Sequence, residues 1–380
     1  MIVLVLNAGS STIKYEVREQ PAATLLAGGI VERIGDTSVP EPVTDHAAAL
    51  QIILARLADE PSLAGLRIDA VGHRVVHGGE RFTAPVLLTD EVVTVIDTLS
   101  ALAPLHNPAG VAGIRALAEQ WPDRPQVVVF DTAFHTTLPE RAWRYAVPDD
   151  LYRDKALRRY GFHGISYQYV SDAAAAFLGV GAFTGVIAHL GNGASVCAVR
   201  AGISVDTSMG LTPLEGLVMG TRSGDLDPGA VLYLQRSGYT VGEVDELFNR
   251  RSGLMGLAGE SDMRAVQQAA DGGDRGARLA LEVAAYRLAK YVASYLVAVG
   301  GVPVLGFTGG IGENSAPFRA QVVRLLAPLG LRLDDDRNAA GSDERVRTVS
   351  AAASAVPVLV VRTDEEAVIA AATERLVGRH

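Results

Sequence analysis

The chain has 380 residues, 48% apolar and 20% charged, enough for about two to three domains of ~150 residues each, which excludes a disordered chain. A net charge of -9 and a pI near 5.4 exclude the basic face of an ordinary nucleic-acid binder, but not a local cluster that binds small anions. Only three of the 34 basic residues are Lys (14, 155 and 290), so arginine, suited to bidentate contact with carboxylates and phosphates, carries nearly all the positive charge.

The first stretch, "VLVLNAGSSTIKYEV" (3–17), reads as an apolar strand, a small polar turn and a second strand. It carries no positive leader and its apolar run breaks at Asn7, so no secretion signal is expected. "AVGHRVVHGGERF" (70–82) is a strand pattern ending at Gly78–Gly79, and "QVVVFDTAFH" (126–135) is a buried strand whose apolar run stops at Asp131. A second block starts near residue 150. Within it "GVIAHLGNGASVCAVRAG" (185–202) is again strand, polar turn, strand, with Leu190, Gly193 and Ser195 overlaying Leu6, Gly9 and Ser11. Duplication of one hairpin-led domain is the reading. The single cysteine, Cys197, falls in this apolar pattern and is expected in the core, with no disulfide framework and no cysteine metal site.

The longest apolar helical stretch, 278–299, is broken by Arg287 and Lys290, too charged to span a membrane. It stops at Gly300–Gly301; "VPVLGF" follows as a buried strand and "TGGIGENS" as a loop. Ser315 as N-cap, Pro317 in the first turn and Gly330 at the exit predict a helix over 315–330, which places Gly309, Gly310 and Gly312 between a strand and a helix N-terminus. "VPVLVV" (356–361) then leads into "TDEEAVIAAATERLV", where Thr363 and Glu366 have capping-box spacing. The last helix is expected on the first domain. The fold expected is α/β, two related domains with the cleft between them: residues 1–150 with 366–380 form the first, and 151–365 the second.

No Lys stands in a Gly-x4-Gly-Lys-Ser/Thr context, and "GGIGEN" is too short for a dinucleotide fingerprint. What remains are three Gly-and-polar turns, 7–12, 189–195 and 308–314, each pinned between buried segments. Small residues let backbone N–H groups approach an anion, so together the turns could clamp a polyphosphate.

"NAGSSTIK", "GHRVVHGGERF", "LAPLHNP", "VFDTAFH", "RRYGFHG", "HLGNGAS", "TPLEGLVMGTRSGDLDP", "SDMR", "FTGGIGEN" and "TDEE" occur in this order. Together they resemble the acetate kinase family of the acetate and sugar kinase, heat-shock protein and actin superfamily, over essentially the whole chain. The resemblance implies two duplicated ribonuclease H-like (actin-like ATPase) domains, and reversible transfer of the ATP γ-phosphoryl to acetate, giving acetyl phosphate and ADP. It implies Mg2+ or Mn2+ as cofactor and a homodimer through the second domain, while the acidic charge, the missing leader pattern and the charged 278–299 stretch lead to the expectation of a cytoplasmic enzyme with no nucleic-acid or membrane partner. A carboxylate is ionised at neutral pH, so the nucleophile needs relief from repulsion and in-line placement, not a base.

By the same resemblance Arg74 grips the acetate carboxylate, Arg222 and His163 stand against the transferring phosphoryl, and Asp131 is an essential active-site acid; since no proton must be removed, Asp131 is expected to orient arginine or metal-bound water. Val76, Leu105, Phe162 and Pro213 line the methyl pocket. Lys14 reaches the phosphates. His189, Leu190, Gly191, Asn192, Gly193, Asp262, Met263, Arg264, Gly310, Ile311, Gly312, Glu313 and Asn314 bind the nucleotide. Asn7 and Glu365 are the metal partners; the capping box engages Glu366 and leaves Glu365 for the metal. Arg144, Arg158 and Arg159 match nothing and are expected at the surface. Departures from the family are Thr12 for Ser, Ile165 and Tyr167 for Thr and His after "YGFHG", and Gly309 for Ala.

Three rivals compete. His73 and His77 at i, i+4 would suit zinc on a helix, but the β-branched residues and double glycine read as a strand. A non-enzymatic actin-like switch has no use for the acyl pocket. A sugar kinase needs a basic carboxylate and a polar pocket, against Val76, Leu105 and Phe162; propionate, one methylene longer, remains the near alternative to acetate.

Overall fold

The computed structural model describes residues 1–9, 12–35, 43–101, 107–300 and 304–378. The chain divides into two compact units, Met1–Thr136 with Asp364–His380 and Thr137–Thr363. Residues 137–150 therefore group with the second unit, and Asp364 and Glu365 with the first.

The first unit is built on β1 (Ile2–Ala8), β2 (Ile13–Glu19), β3 (Thr24–Val31), β4 (Ala70–Val75), β5 (Val86–Leu87) and β6 (Gln126–Phe130). They form one sheet in the order β3-β2-β1-β4-β6-β5. β1 and β2 are the antiparallel hairpin expected at 3–17, closed by the Gly9 N–H on the Thr12 carbonyl at 2.7 Å. β1, β4 and β6 run parallel. Their near-continuous apolar sequences suit strands covered on both faces. One face packs Leu4, Leu6, Tyr15 and Val17 against Leu50, Ile53 and Leu57 of the helix His46–Ala58. The helix Glu365–Val377 lies against β1, β4 and β6. Its approach explains Gly72: a Cβ there would stand 2.5 Å from Thr373 Oγ1 and 2.7 Å from Ile369 Cγ2.

The second unit repeats the plan with β7 (Gly185–Leu190), β8 (Ala194–Arg200), β9 (Ile203–Thr207), β10 (Val304–Thr308), β11 (Val346–Thr348) and β12 (Val358–Val361). Their order, β11-β12-β10-β7-β8-β9, is the first sheet's order read from the other edge. The duplication is thus topological. The residue overlay is not kept: Leu190 is the last residue of its strand, opposite Ala194, whereas Leu6 lies two residues before its strand's end, opposite Tyr15. Cys197 is fully buried in β8. The helix Arg275–Val299 starts on Asp274, whose carboxylate accepts the Ala277 N–H at 2.7 Å, and ends at Gly300 with φ 77°. Among the described residues no helix is long and apolar enough to cross a membrane.

Four local expectations are corrected. "TGGIGENS" is not a loop: Gly309–Asn314 is a helix that leaves β10 directly, with Gly309 at φ 76°. Residue 309 must be glycine here, since a Cβ would meet the Leu190 backbone at 2.8 Å. The next helix, Ala316–Leu325, has no side-chain cap from Ser315. The last helix is capped by Asp364, which accepts the Ala367 N–H at 2.9 Å, and not by a Thr363–Glu366 box. Nor is Arg159 a surface charge: it donates to Glu215 (2.5 Å) and to the Ser208 and Met209 carbonyls. Arg144 and Arg158 lie over the rings of Tyr152 and Trp143 at 4.5 and 4.1 Å.

Candidate active site

In the first unit the end of β4 and the end of β6 bring Arg74 and Asp131 together. Asp131, 1% exposed, accepts from Arg74 Nη2 at 2.5 Å and Nε at 3.1 Å, a forked pair of the kind that fixes a guanidinium in one plane. Arg74 Nη1 donates to Asn7 Oδ1 at 3.2 Å. Asn7 Nδ2 in turn donates to Glu366 (3.0 Å) and Glu365 (3.3 Å) at the start of the last helix. Glu366 pairs with Lys14 at 2.9 Å, Lys14 with Glu16 at 3.1 Å, and Arg18 with Glu16 and Asp364 at 2.7 Å each. One chain of alternating charge thus runs from Asp131 to Asp364, all within this unit.

The electrostatics follow. Burial first, then Asp131 and Glu366, push Glu365 up to about 7 against the pull of Arg74. Burial works the same way on Glu366, but the Lys14 ammonium, the Asn7 amide and a backbone N–H together outweigh it and hold that carboxyl below its usual range. The capping-box argument for Glu365 therefore fails in its premise: Glu366 is engaged, but by Lys14 and Asn7. Glu365 remains the under-compensated acid. That surplus of carboxylate oxygen beside Asn7 fits a hard divalent cation. Another group of carboxylates close enough to share a cation, Glu16, Asp364 and Glu366, contains no histidine and already holds Arg18 and Lys14. His73 instead meets Gln126 Oε1 at 2.6 Å from β4, a strand and not a helix. Val76, just past β4, is buried. Leu105 lies outside the described residues.

In the second unit the groups are mostly neutral. His163 precedes the helix Gly164–Leu178 in the left-handed region, φ 58°, a conformation that costs a non-glycine residue about 1–3 kcal/mol. Its ring stacks on His189 at 4.3 Å, and Nδ1 is 2.8 Å from Ser195 Oγ. A Cβ on Gly193 would stand 3.5 Å from both His163 Nε2 and Arg222 Nη1, so these two side chains converge on the space over Gly193. Arg222 Nη1 also donates to the Pro213 carbonyl at 3.1 Å. Phe162 is 1% exposed.

A cavity of about 870 Å³ in the same unit gathers Gly191, Asn192, Asp262, Met263, Arg264, Gly310, Ile311 and Asn314. Leu190 borders an adjoining apolar recess with Gly191 and Ile311. Asp262 has a second task as N-cap of the helix Met263–Asp271, and Arg264, first among its partners, holds it down to about 2. Gly312 is buried inside its short helix. Glu313 does not line the cavity: its Oε1 accepts the N–H groups of Gly309 (3.0 Å) and Thr363 (3.1 Å). Sequence reasoning missed Gln267, Gln268 and Asp271 of the cavity wall. They lie one to two turns beyond Met263 and Arg264, and helical spacing would have found them. It also missed Ser166, which joins His189 Nδ1 to Thr363 Oγ1 at 2.8 Å each. No local pattern signals that pairing.

Two copies of one mixed α/β domain, each opening on a hairpin, define the class: a duplicated actin-like ATPase fold. The acetokinase family model matches residues 2–371. The acetate kinase of Arthrobacter sp. (strain FB24) is 57% identical over 386 residues, covering 99% of each chain. A propionate kinase from Francisella tularensis subsp. tularensis SCHU S4 superposes with a TM-score of 0.92 at 40% identity, and an acetate kinase from Porphyromonas gingivalis with 0.89 at 41%, each over 99% of both chains. The chain belongs to the acetokinase family.

Proposed function

We propose that the chain is an acetate kinase, moving the γ-phosphoryl of ATP reversibly to acetate by direct in-line transfer. The observation that carries the reading is the convergence of His163 Nε2 and Arg222 Nη1 over Gly193, beside a cavity lined by the turns at 189–195 and 308–314. Such donors act on the equatorial oxygens, where charge spreads in a loose transition state. Acetate arrives ionised, so Arg74 receives it as a carboxylate and Asp131 is no base: its fork keeps the guanidinium in one orientation. Val76, Phe162 and Pro213 are assigned to the acceptor's methyl. Gly191, Asn192, Asp262, Met263, Arg264, Gly310, Ile311 and Asn314 are assigned to the nucleotide, with His189 bracing His163. Lys14 is held by Glu16 and Glu366, and reaches a phosphate only by leaving them.

Glu365 would hold Mg2+, or Mn2+, through its carboxylate oxygen, and Asn7, whose Oδ1 already accepts from Arg74, through bound water. The ion's contribution is to neutralise triphosphate charge as two anions meet. A homodimer is supported by large apolar side chains exposed on the second unit: Tyr233 (70%), Val241 (73%) and Val297 (84%). Sedimentation as a monomer at micromolar concentration would remove that part. A cytoplasmic enzyme with no membrane or nucleic-acid partner fits the acidic charge and the ATP substrate.

The test is to incubate protein, MgATP, acetate and hydroxylamine and to assay acetyl hydroxamate. A signal abolished by EDTA is expected; no signal with any short-chain acid rejects the reading. Propionate is the second reading, favoured by the Francisella neighbour. One methylene is worth ~1–3 kcal/mol, so acetate should lead in kcat/KM by about tenfold or more. A lead for propionate reverses the assignment.

A further inference from the structure

Tyr167 is fully buried, its hydroxyl packed inside the second unit. It lies one helical turn after His163, its N–H on the His163 carbonyl at 3.0 Å, so both side chains share a face of the helix Gly164–Leu178. Between them stands Ser195 of β8, also fully buried. Its Oγ is 2.5 Å from the Tyr167 hydroxyl and 2.8 Å from His163 Nδ1. We propose that Tyr167, acting through Ser195, is a positioning residue that holds His163 as the neutral imidazole with its proton on Nε2. This rests on the reading of His163 as a donor to the transferring phosphoryl.

The polarity follows from counting hydrogens. A serine hydroxyl has one proton to give and two lone pairs. Tyr167 keeps its proton at neutral pH, since burial raises the phenol well above its ordinary value, and the His189 backbone already hydrogen-bonds its oxygen. The Tyr167 hydroxyl therefore donates to Ser195 Oγ, and the serine proton goes on to His163 Nδ1. The reverse case, Nδ1–H donating into Ser195, would give that oxygen two donors and strand its own proton in a dry interior. With Nδ1 an acceptor, the ring proton is on Nε2, the atom that converges with Arg222 over Gly193. A neutral donor suits this place. The ring stacks on His189 at 4.3 Å and shares its space with a guanidinium, so a second positive charge would be repelled.

The test combines kinetics with the tautomer itself. Protein labelled with 15N-histidine, its His163 signals assigned by loss in His163→Asn, should show long-range proton–nitrogen couplings with Nδ1 unprotonated and Nε2 protonated. Tyr167→Phe keeps the ring and removes the donor; kcat should fall about tenfold, less than loss of the donor itself costs. KM for ATP and acetate should stay within about twofold, and the His163 signals should move toward a tautomer mixture. Tyr167→His restores a donor and should recover most of kcat. Ser195→Ala should shift the tautomer as Tyr167→Phe does, so the idea stays exposed even if one variant folds poorly. A wild-type tautomer and wild-type kcat in Tyr167→Phe overturn it, as does a proton on Nδ1 in the wild type. An inactive wild type with the expected tautomer would instead strike the kinase reading alone.

Discussion

The two sheets have one topology and different polar groups at their strand ends. Counted from the last pair of each leading hairpin, Ala8–Ile13 and Leu190–Ala194, their rows correspond. Leu6, His73 and Val128 lie across one sheet, and Ala188, Phe307 and Val360 across the other. In that frame Arg74 matches Thr308, and Asp131 matches Thr363. The first unit spans these strand ends with a forked ion pair. The second spans them with Glu313, whose Oε1 takes the Thr363 N–H and stands 3.5 Å from Thr308 Oγ1. A duplicated scaffold thus supplies strand ends in the same places, and the side chains there differ: a buried forked ion pair in the first unit, a glutamate that bridges a backbone N–H and a hydroxyl in the second.

The contrast breaks first at the arginines. Arg74→Ala and Arg222→Ala should each cut kcat/KM by about 10²–10³. Only Arg74→Ala should also cost about 3–5 kcal/mol of stability, because it strands Asp131, 1% exposed, without its cation. Equal losses of Tm in the two variants would mean that the division of charge drawn here is wrong.

The matched glycines sharpen it at the next level. Gly72 and Gly306 occupy one row, yet a Cβ on Gly72 meets Thr373 at 2.5 Å, while one on Gly306 finds Ile187 Cγ1 at 3.8 Å. Gly72→Ala should destabilise by ~1–3 kcal/mol by overpacking against the last helix. Gly306→Ala should change stability by less than about 1 kcal/mol. Urea unfolding of both variants decides, and a tolerated Gly72→Ala would argue against the seat of the last helix.

A further contrast is pH dependence. Burial, only partly offset by the bond to Gln126, lowers His73 from 6.5 to about 4, whereas its counterpart Phe307 cannot titrate. The unfolded chain binds the proton first, so stability is full above pH 6.5 and is lost as pH falls toward 4. His73→Gln should flatten the fall in urea midpoint between pH 6.5 and 5. An unchanged slope would assign the acid sensitivity to other groups.

Much of the scaffold could be read locally. Buried strands announced themselves as apolar runs ending at Asp131 and Gly309, and Gly300 marked the end of the long helix by its left-handed turn. Two of the three glycine-rich turns, 189–195 and 308–314, line the cavity of the second unit and were legible as motifs, though not that 309–314 is helical. Four glycine-rich residues read as a loop until β10 and the Leu190 backbone press on Gly309.

Composition, period and motif determined the duplicated α/β plan, the family, and which residue types stand at strand ends, because those depend on neighbours a few positions away. Only the tertiary structure decided partners. Thr363 and Glu366 have the spacing of a cap, yet Ser166 and Glu313 claim the first, Lys14 and Asn7 claim the second, and Asp364 takes the helix. A hydrogen bond is won by whichever donor the fold brings within 3 Å, and sequence spacing carries no record of contacts made hundreds of residues away.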